Sequence, residues 1–172
     1  MKIANHLLLP LLAIGAAAGT AAAGPRECRP LDGERWDQHL AYAGCLRSAP
    51  LARLGDPEQL RPFVARLESD VERSIGIYRD AMARAPWEMR LLAAYQLGQT
   101  YVDLVVRARN AVDARTRPQL EPLLVPYLRD AQTAFTQAWA IGEELPAGVA
   151  CDDLVRNLIA GTRDALDTLE LP

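Results

Sequence analysis

The chain has 172 residues, with 19 Lys and Arg against 22 Asp and Glu and a formal charge of −3. That length holds one domain with or without a targeting segment, and a composition 50% apolar and 24% charged excludes a disordered tail and a disulfide-dense mini-protein. Interspersed charges on an acidic balance argue against a basic nucleic-acid binder.

Residues 1–23 read as a secretory signal peptide. Lys2 supplies the positive start, Leu7 to Ala18 the apolar stretch, and Ala21-Ala22-Ala23 a small-residue cleavage site. The apolar stretch is short and rich in Ala and Gly, which is weak for a membrane anchor. Residues 24–172 are then expected to form a single exported domain, periplasmic or secreted, and Lys2 is the only lysine of the whole chain. The all-Arg mature chain suggests a GC-rich bacterial gene.

Cys28, Cys45 and Cys151 all follow the cleavage site. An oxidising compartment favours one disulfide and one leftover thiol. Three pairings exist and sequence does not choose among them. Cys28–Cys45 closes the shortest loop, would stabilise by about 3 kcal/mol, and would leave Cys151 free as a small residue near a helix start.

From there the chain reads as helix. Ala, Leu, Arg, Glu and Gln dominate, and strand-like alternation of β-branched residues is lacking. The first predicted helix covers about Glu34–Arg47, with Trp36, Leu40, Ala43 and Leu46 on one face. The second covers about Pro57–Ala85, started by Asp56 and Pro57, with a stripe through Leu60, Phe63, Leu67, Val71, Ile75, Tyr78 and Met82. The third runs about Trp87–Arg115 with a row through Trp87, Leu91, Ala94, Gly98, Tyr101, Val105, Ala108 and Val112. Gly98 costs about 1 kcal/mol against Ala inside a helix, so its place on the apolar row predicts a close neighbouring helix.

The fourth helix starts near Pro118. Pro122 and Pro126 are expected to kink or delay it, which leaves Tyr127–Ile141 as its firm part. The fifth covers about Cys151–Leu169, with Asp152 and Asp153 in the first turn where the helix dipole favours negative charge. Short connections between these segments predict antiparallel hairpins, either as an open five-helix stack or as a closed five-helix bundle.

Ser74, Tyr78, Ala81 and Pro86 follow one another at steps of four, three and five residues. Leu97-Gly98 is followed by Tyr101, and Ala131, Phe135 and Ala138 repeat the spacing of Ser74, Tyr78 and Ala81. This pattern resembles the tetratricopeptide repeat over about residues 74–141, although the two sets are separated by more than that family's period of about 34 residues. The resemblance implies an all-α, five-helix antiparallel hairpin stack that binds a protein or peptide in a groove and is not an enzyme. Tyr95, Gln99 and Asp103, beside Tyr101, are the groove candidates it implies.

Parts for chemistry are few. The mature chain has one histidine, His39, placed among the apolar residues of the first helix, and no lysine. Adjacent carboxylates, Glu143-Glu144 and Asp152-Asp153, sit at helix ends and point in different directions. No metal-ligand spacing, phosphate loop or nucleophile elbow is present, so no cofactor or metal is expected. Arg107, Arg109, Arg115 and Arg117 form the one basic cluster, readable as an anion patch or as cations suited to a helix C-terminus. The leading expectation is an exported, non-enzymatic scaffold with an envelope protein or peptide as partner. The alternative is a helical bundle holding a small apolar ligand near Trp87 and Trp139.

Overall fold

Apolar stripes at helical spacing need a neighbouring surface, and in this chain the helices supply it for one another. The computed structural model describes residues 35–47, 54, 57–144 and 153–169. Residues 1–23, read above as a signal peptide, and Cys28 and Cys151 lie outside the described residues. Among the described residues there are five α-helices and no strand: α1 (Trp36–Arg47), α2 (Leu60–Arg84), α3 (Trp87–Ala111), α4 (Arg117–Glu143) and α5 (Asp153–Thr168), with one 3-10 turn, Pro57–Gln59, leading into α2. The all-α, five-helix expectation is met. No helix among the described residues is long and apolar enough to cross a membrane.

Each boundary has a local cause. α2 stops because Ala85 precedes a proline and takes an extended conformation (φ −78°, ψ 163°), which residues before proline favour over the helical one. The chain then turns straight into α3. α3 ends at Ala111, four residues short of the predicted Arg115, because the Asp113 carboxylate accepts hydrogen bonds from the backbone N–H groups of Thr116 (2.8 Å) and Arg115 (3.1 Å). This side-chain turn competes with continued helix. The Thr116 N–H also holds the Asp113 carboxyl below the usual carboxylate range.

α4 departs further from expectation. It is helical from Arg117 onward and runs through both Pro122 and Pro126. Pro118, Pro122 and Pro126 all lie on its exposed face, while Leu120 and Leu124 are fully buried and Leu128 nearly so. Each internal proline removes one helical N–H, and the carbonyl it strands faces water on that side. Burial of the leucines on the other face holds the helix together.

Paired ends fix the hairpin directions. Trp87 at the start of α3 donates its indole N–H to the Ile141 carbonyl near the end of α4 (2.9 Å). Arg109 near the end of α3 makes a bidentate pair with Glu121 near the start of α4 (3.0 and 2.7 Å). α3 and α4 are therefore antiparallel. Likewise Arg84 at the end of α2 lies over the Trp36 ring at the start of α1, and Arg73 lies over the Tyr42 ring. Leu54, in the link between α1 and α2, donates its N–H to the Ala111 carbonyl (3.0 Å) and so occupies the end of α3.

The core follows the sequence pattern closely. Ser74, Tyr78 and Ala81 on α2 and Ala131, Phe135 and Ala138 on α4 are all fully buried. The two sets pack differently in detail. Ser74 donates its hydroxyl to the Ala43 carbonyl of α1 (2.9 Å), and the Tyr78 Oη lies 3.9 Å from where a Cβ on Gly44 of α1 would stand. On the second hairpin, a Cβ on Gly98 of α3 would stand 2.7 Å from the Phe135 ring of α4. In the second hairpin an aromatic ring thus sits tightly over a glycine of the preceding helix, whereas in the first only the Tyr78 hydroxyl comes near Gly44, at ordinary contact distance. α5 closes the row by the same device. A Cβ on Gly142 of α4 would come within 3.0 Å of Ile159, and one on Gly161 of α5 within 3.1 Å of the Tyr95 Oη.

Candidate functional site

α3 is the central helix, and its two flanking helices leave a groove along one of its faces. α2 and α4 both run antiparallel to α3, so they run parallel to each other as the walls. Leu97 and Tyr101 of α3 form the floor. Two adjoining hollows of about 310 and 370 Å³ share Arg79, Tyr101 and Asp130. The α2 wall runs from Ala65 through Glu68, Ser69, Glu72 and Ile75 to Met82. The α4 wall carries Asp130, Thr133, Ala134 and Gln137.

Hydrogen bonds set the shape of this groove. The Arg79 guanidinium donates to the Tyr101 hydroxyl (3.1 Å), tying α2 to the floor. The Tyr127 hydroxyl donates to the Glu68 carboxylate (3.1 Å), bridging the walls towards one end. Burial pushes the Tyr127 hydroxyl up to about 12, helped by the hydrogen bond to Glu68 and its charge. Burial also raises Tyr101, against the opposing pull of Arg79. The Tyr127 phenol therefore stays a neutral donor at any ordinary pH.

Gly76 stands on the same face of α2, between Glu72 and Arg79 by helical spacing. A Cβ there would meet nothing within 4 Å, and the residue is exposed. A glycine in mid-helix costs about 1 kcal/mol relative to alanine, and at Gly76 no packing among the described residues accounts for it.

The residues singled out from sequence take several positions. Tyr101 and Leu97 lie in the groove. Tyr95 and Gln99 do not line it, because they project from the opposite face of α3. There Tyr95 packs at a tilt on Phe135 (centroids 5.8 Å apart, 59° between planes), abuts Gly161, and accepts a hydrogen bond from Gln99 Nε2 (3.3 Å). Asp103 is half-buried on α3 and also lies outside the groove lining.

The arginine cluster is divided. Arg109 is occupied by Glu121, and Arg117 donates to the Arg109 carbonyl (3.4 Å), a cation against the C-terminal end of α3. Arg107 is half-buried and Arg115 exposed. His39 lies beside the Trp36 ring (5.8 Å, 54°), within α1. Trp87 serves as the α3–α4 latch, and neither Trp87 nor Trp139 lines either hollow. Among the described residues no group of three His, Cys, Asp or Glu could hold a metal ion.

No family model matches the chain, and neither does any curated protein or solved structure.

Sequence reasoning missed the wall residues Glu68, Glu72, Arg79 and Asp130. Each reads as an ordinary solvated helix position, and only the parallel placement of α2 and α4 brings them together.

Proposed function

We propose that this chain is an exported, non-enzymatic helical scaffold that holds a segment of a protein or peptide partner in the α2–α4 groove. The observation that carries this reading is the groove itself. It has Tyr101 in its floor and walls with small residues at Ala65, Ser69 and Ala134, and Gly76, beside the lining on the same face of α2, leaves open space. A partner backbone can approach closely where no side chain intervenes.

The tetratricopeptide-like spacing accords with a hairpin stack, because its residues Ser74, Tyr78 and Ala81 on α2 and Ala131, Phe135 and Ala138 on α4 are all buried. Action by binding accords with His39 lying against Trp36 and away from the groove. Export is supported by the signal-like residues 1–23 and by the three cysteines that follow them, which an oxidising compartment would pair once. Cys28–Cys45 is the pairing we favour on loop length. Non-reducing peptide mass mapping is expected to give one disulfide and one thiol per monomer. Three free thiols would reverse the export reading.

The groove is tested by selecting binders from an unbiased displayed peptide library on the purified protein. Gly76→Phe, which places a ring into the open space beside the groove lining, is expected to weaken selected peptides by about tenfold or more, around 1.4 kcal/mol. Gly76→Ala should keep binding and raise stability by about 0.5–1 kcal/mol through lower unfolded-state entropy and better helix propensity. Selected peptides that bind Gly76→Phe unchanged would place the site elsewhere.

A further inference from the structure

The groove walls are unequal in charge. Glu68 and Glu72 on α2 and Asp130 on α4 face it with three carboxylates, against the single guanidinium of Arg79. Arg79 already donates to the Tyr101 hydroxyl, and Glu68 accepts from Tyr127. Glu72 and Asp130 form no ion pair among the described residues. Two carboxylates without an ion pair thus stand, with Arg79, across a groove lined by Met82 and by the largely buried Ile75, Leu97 and Tyr101.

From this juxtaposition we infer that the groove's occupant is an extended segment of another protein bearing arginine or lysine side chains, the cationic heads meeting Glu72 and Asp130 and the alkyl stems lying on Met82, Leu97 and Tyr101.

The chemistry fits on each count. Long cationic side chains bury their methylene stems on apolar surface while keeping the head hydrated, and an aromatic ring attracts a cation over its face. Carboxylates across a shallow groove give such a segment a register and discriminate against acidic ones, since like charges brought together are repelled. The length also fits. From Ala65 to Met82 α2 advances about 25 Å at 1.5 Å per residue, which spans about seven or eight extended residues. Gly76 does not line either hollow but stands beside them on the same face of α2, where it leaves room for the segment's backbone.

This inference rests on the groove reading above, and its test separates the two. The purified protein is titrated with fluorescent peptides about ten residues long, in which leucine and serine alternate with arginine, with citrulline (the same shape without charge), or with glutamate. The arginine peptide is expected to bind about tenfold tighter than the citrulline peptide at low salt and to lose that advantage at about 0.5 M salt, where screening is nearly complete. The double variant E72Q/D130N, at two exposed positions, should keep its melting temperature, weaken arginine-peptide binding by about fivefold or more, and leave citrulline-peptide binding unchanged. If the citrulline or glutamate peptide binds wild type as tightly as the arginine peptide, and Gly76→Phe still blocks it, the charge inference is overturned and the groove stands. Arginine-peptide binding that ignores E72Q/D130N also overturns it, by placing the cations elsewhere. If none of the three peptides binds at millimolar concentration, the groove reading falls as well.

Discussion

Gly98→Leu should lower the free energy of unfolding by about 3 kcal/mol or more, at the upper end of what overpacking a core produces. Even the first added atom has no room. An ideal Cβ on Gly98 would stand 2.7 Å from Phe135 Cε1 and 2.8 Å from both Cδ1 and Cζ, where ordinary contact begins near 3.4 Å. These are three atoms of one rigid ring. Phe135 is fully buried, with Tyr95 beside it at 5.8 Å, so the ring cannot swing aside without moving a second aromatic residue. Gly98→Ala carries the sharper lesson. In an open helix that change gains about 1 kcal/mol, and at Gly76 the same gain is expected, because nothing stands in the way. At Gly98 the sign should reverse. Chemical denaturation of the two alanine variants side by side measures this. Stabilisation of both would mean that α3 and α4 are not held together through Gly98.

The contrast also marks what periodicity can and cannot deliver. The stripe through Leu60, Leu67, Val71, Ile75 and Tyr78 was legible because α2 has one wet face and one dry face, and the buried residues recur at helical steps. Gly98 was legible because a costly residue on an apolar row implies a close neighbour. α3 was only half legible. Its buried set adds Ala93, Tyr95, Leu97, Thr100, Leu104 and Ala111 to the predicted row, since a central helix flanked on several sides is dry nearly all round. For such a helix the pattern says that a residue is buried but not which neighbour covers it. That is why Tyr95 and Tyr101, both aromatic and both buried, could not be told apart from sequence. One faces Phe135 and α5, the other the groove. The prolines of α4 misled for a related reason. Their backbone cost is local and visible, whereas the burial of Leu120 and Leu124 that offsets it depends on α3 lying alongside. The groove walls were hidden altogether, because Glu72 and Asp130 belong to helices far apart in the chain and meet only through a third.

Phe135→Ala should be the most damaging single truncation of the second hairpin, costing about 3–5 kcal/mol as the ring's burial is lost and a cavity opens between α3, α4 and Tyr95. Its combination with Gly98→Ala tests the ring-on-glycine contact directly. Alone, the alanine methyl at 98 collides with the ring. With the ring removed, the methyl enters the cavity that the ring has vacated, and its helix-propensity gain is no longer opposed. The double variant should therefore be more stable than the sum of the two single losses predicts, with a coupling of about 1–3 kcal/mol in a double-mutant cycle. A cycle that closes within about 0.5 kcal/mol would mean that the two residues do not touch. The consequence reaches the groove, because Ala134, the neighbour of Phe135, lines one wall and moves with α4. Phe135→Ala should then weaken peptide binding along with stability. Gly76→Phe should weaken binding alone, and it is this separation of the two effects that distinguishes a groove built by the hairpin from a binding surface indifferent to it.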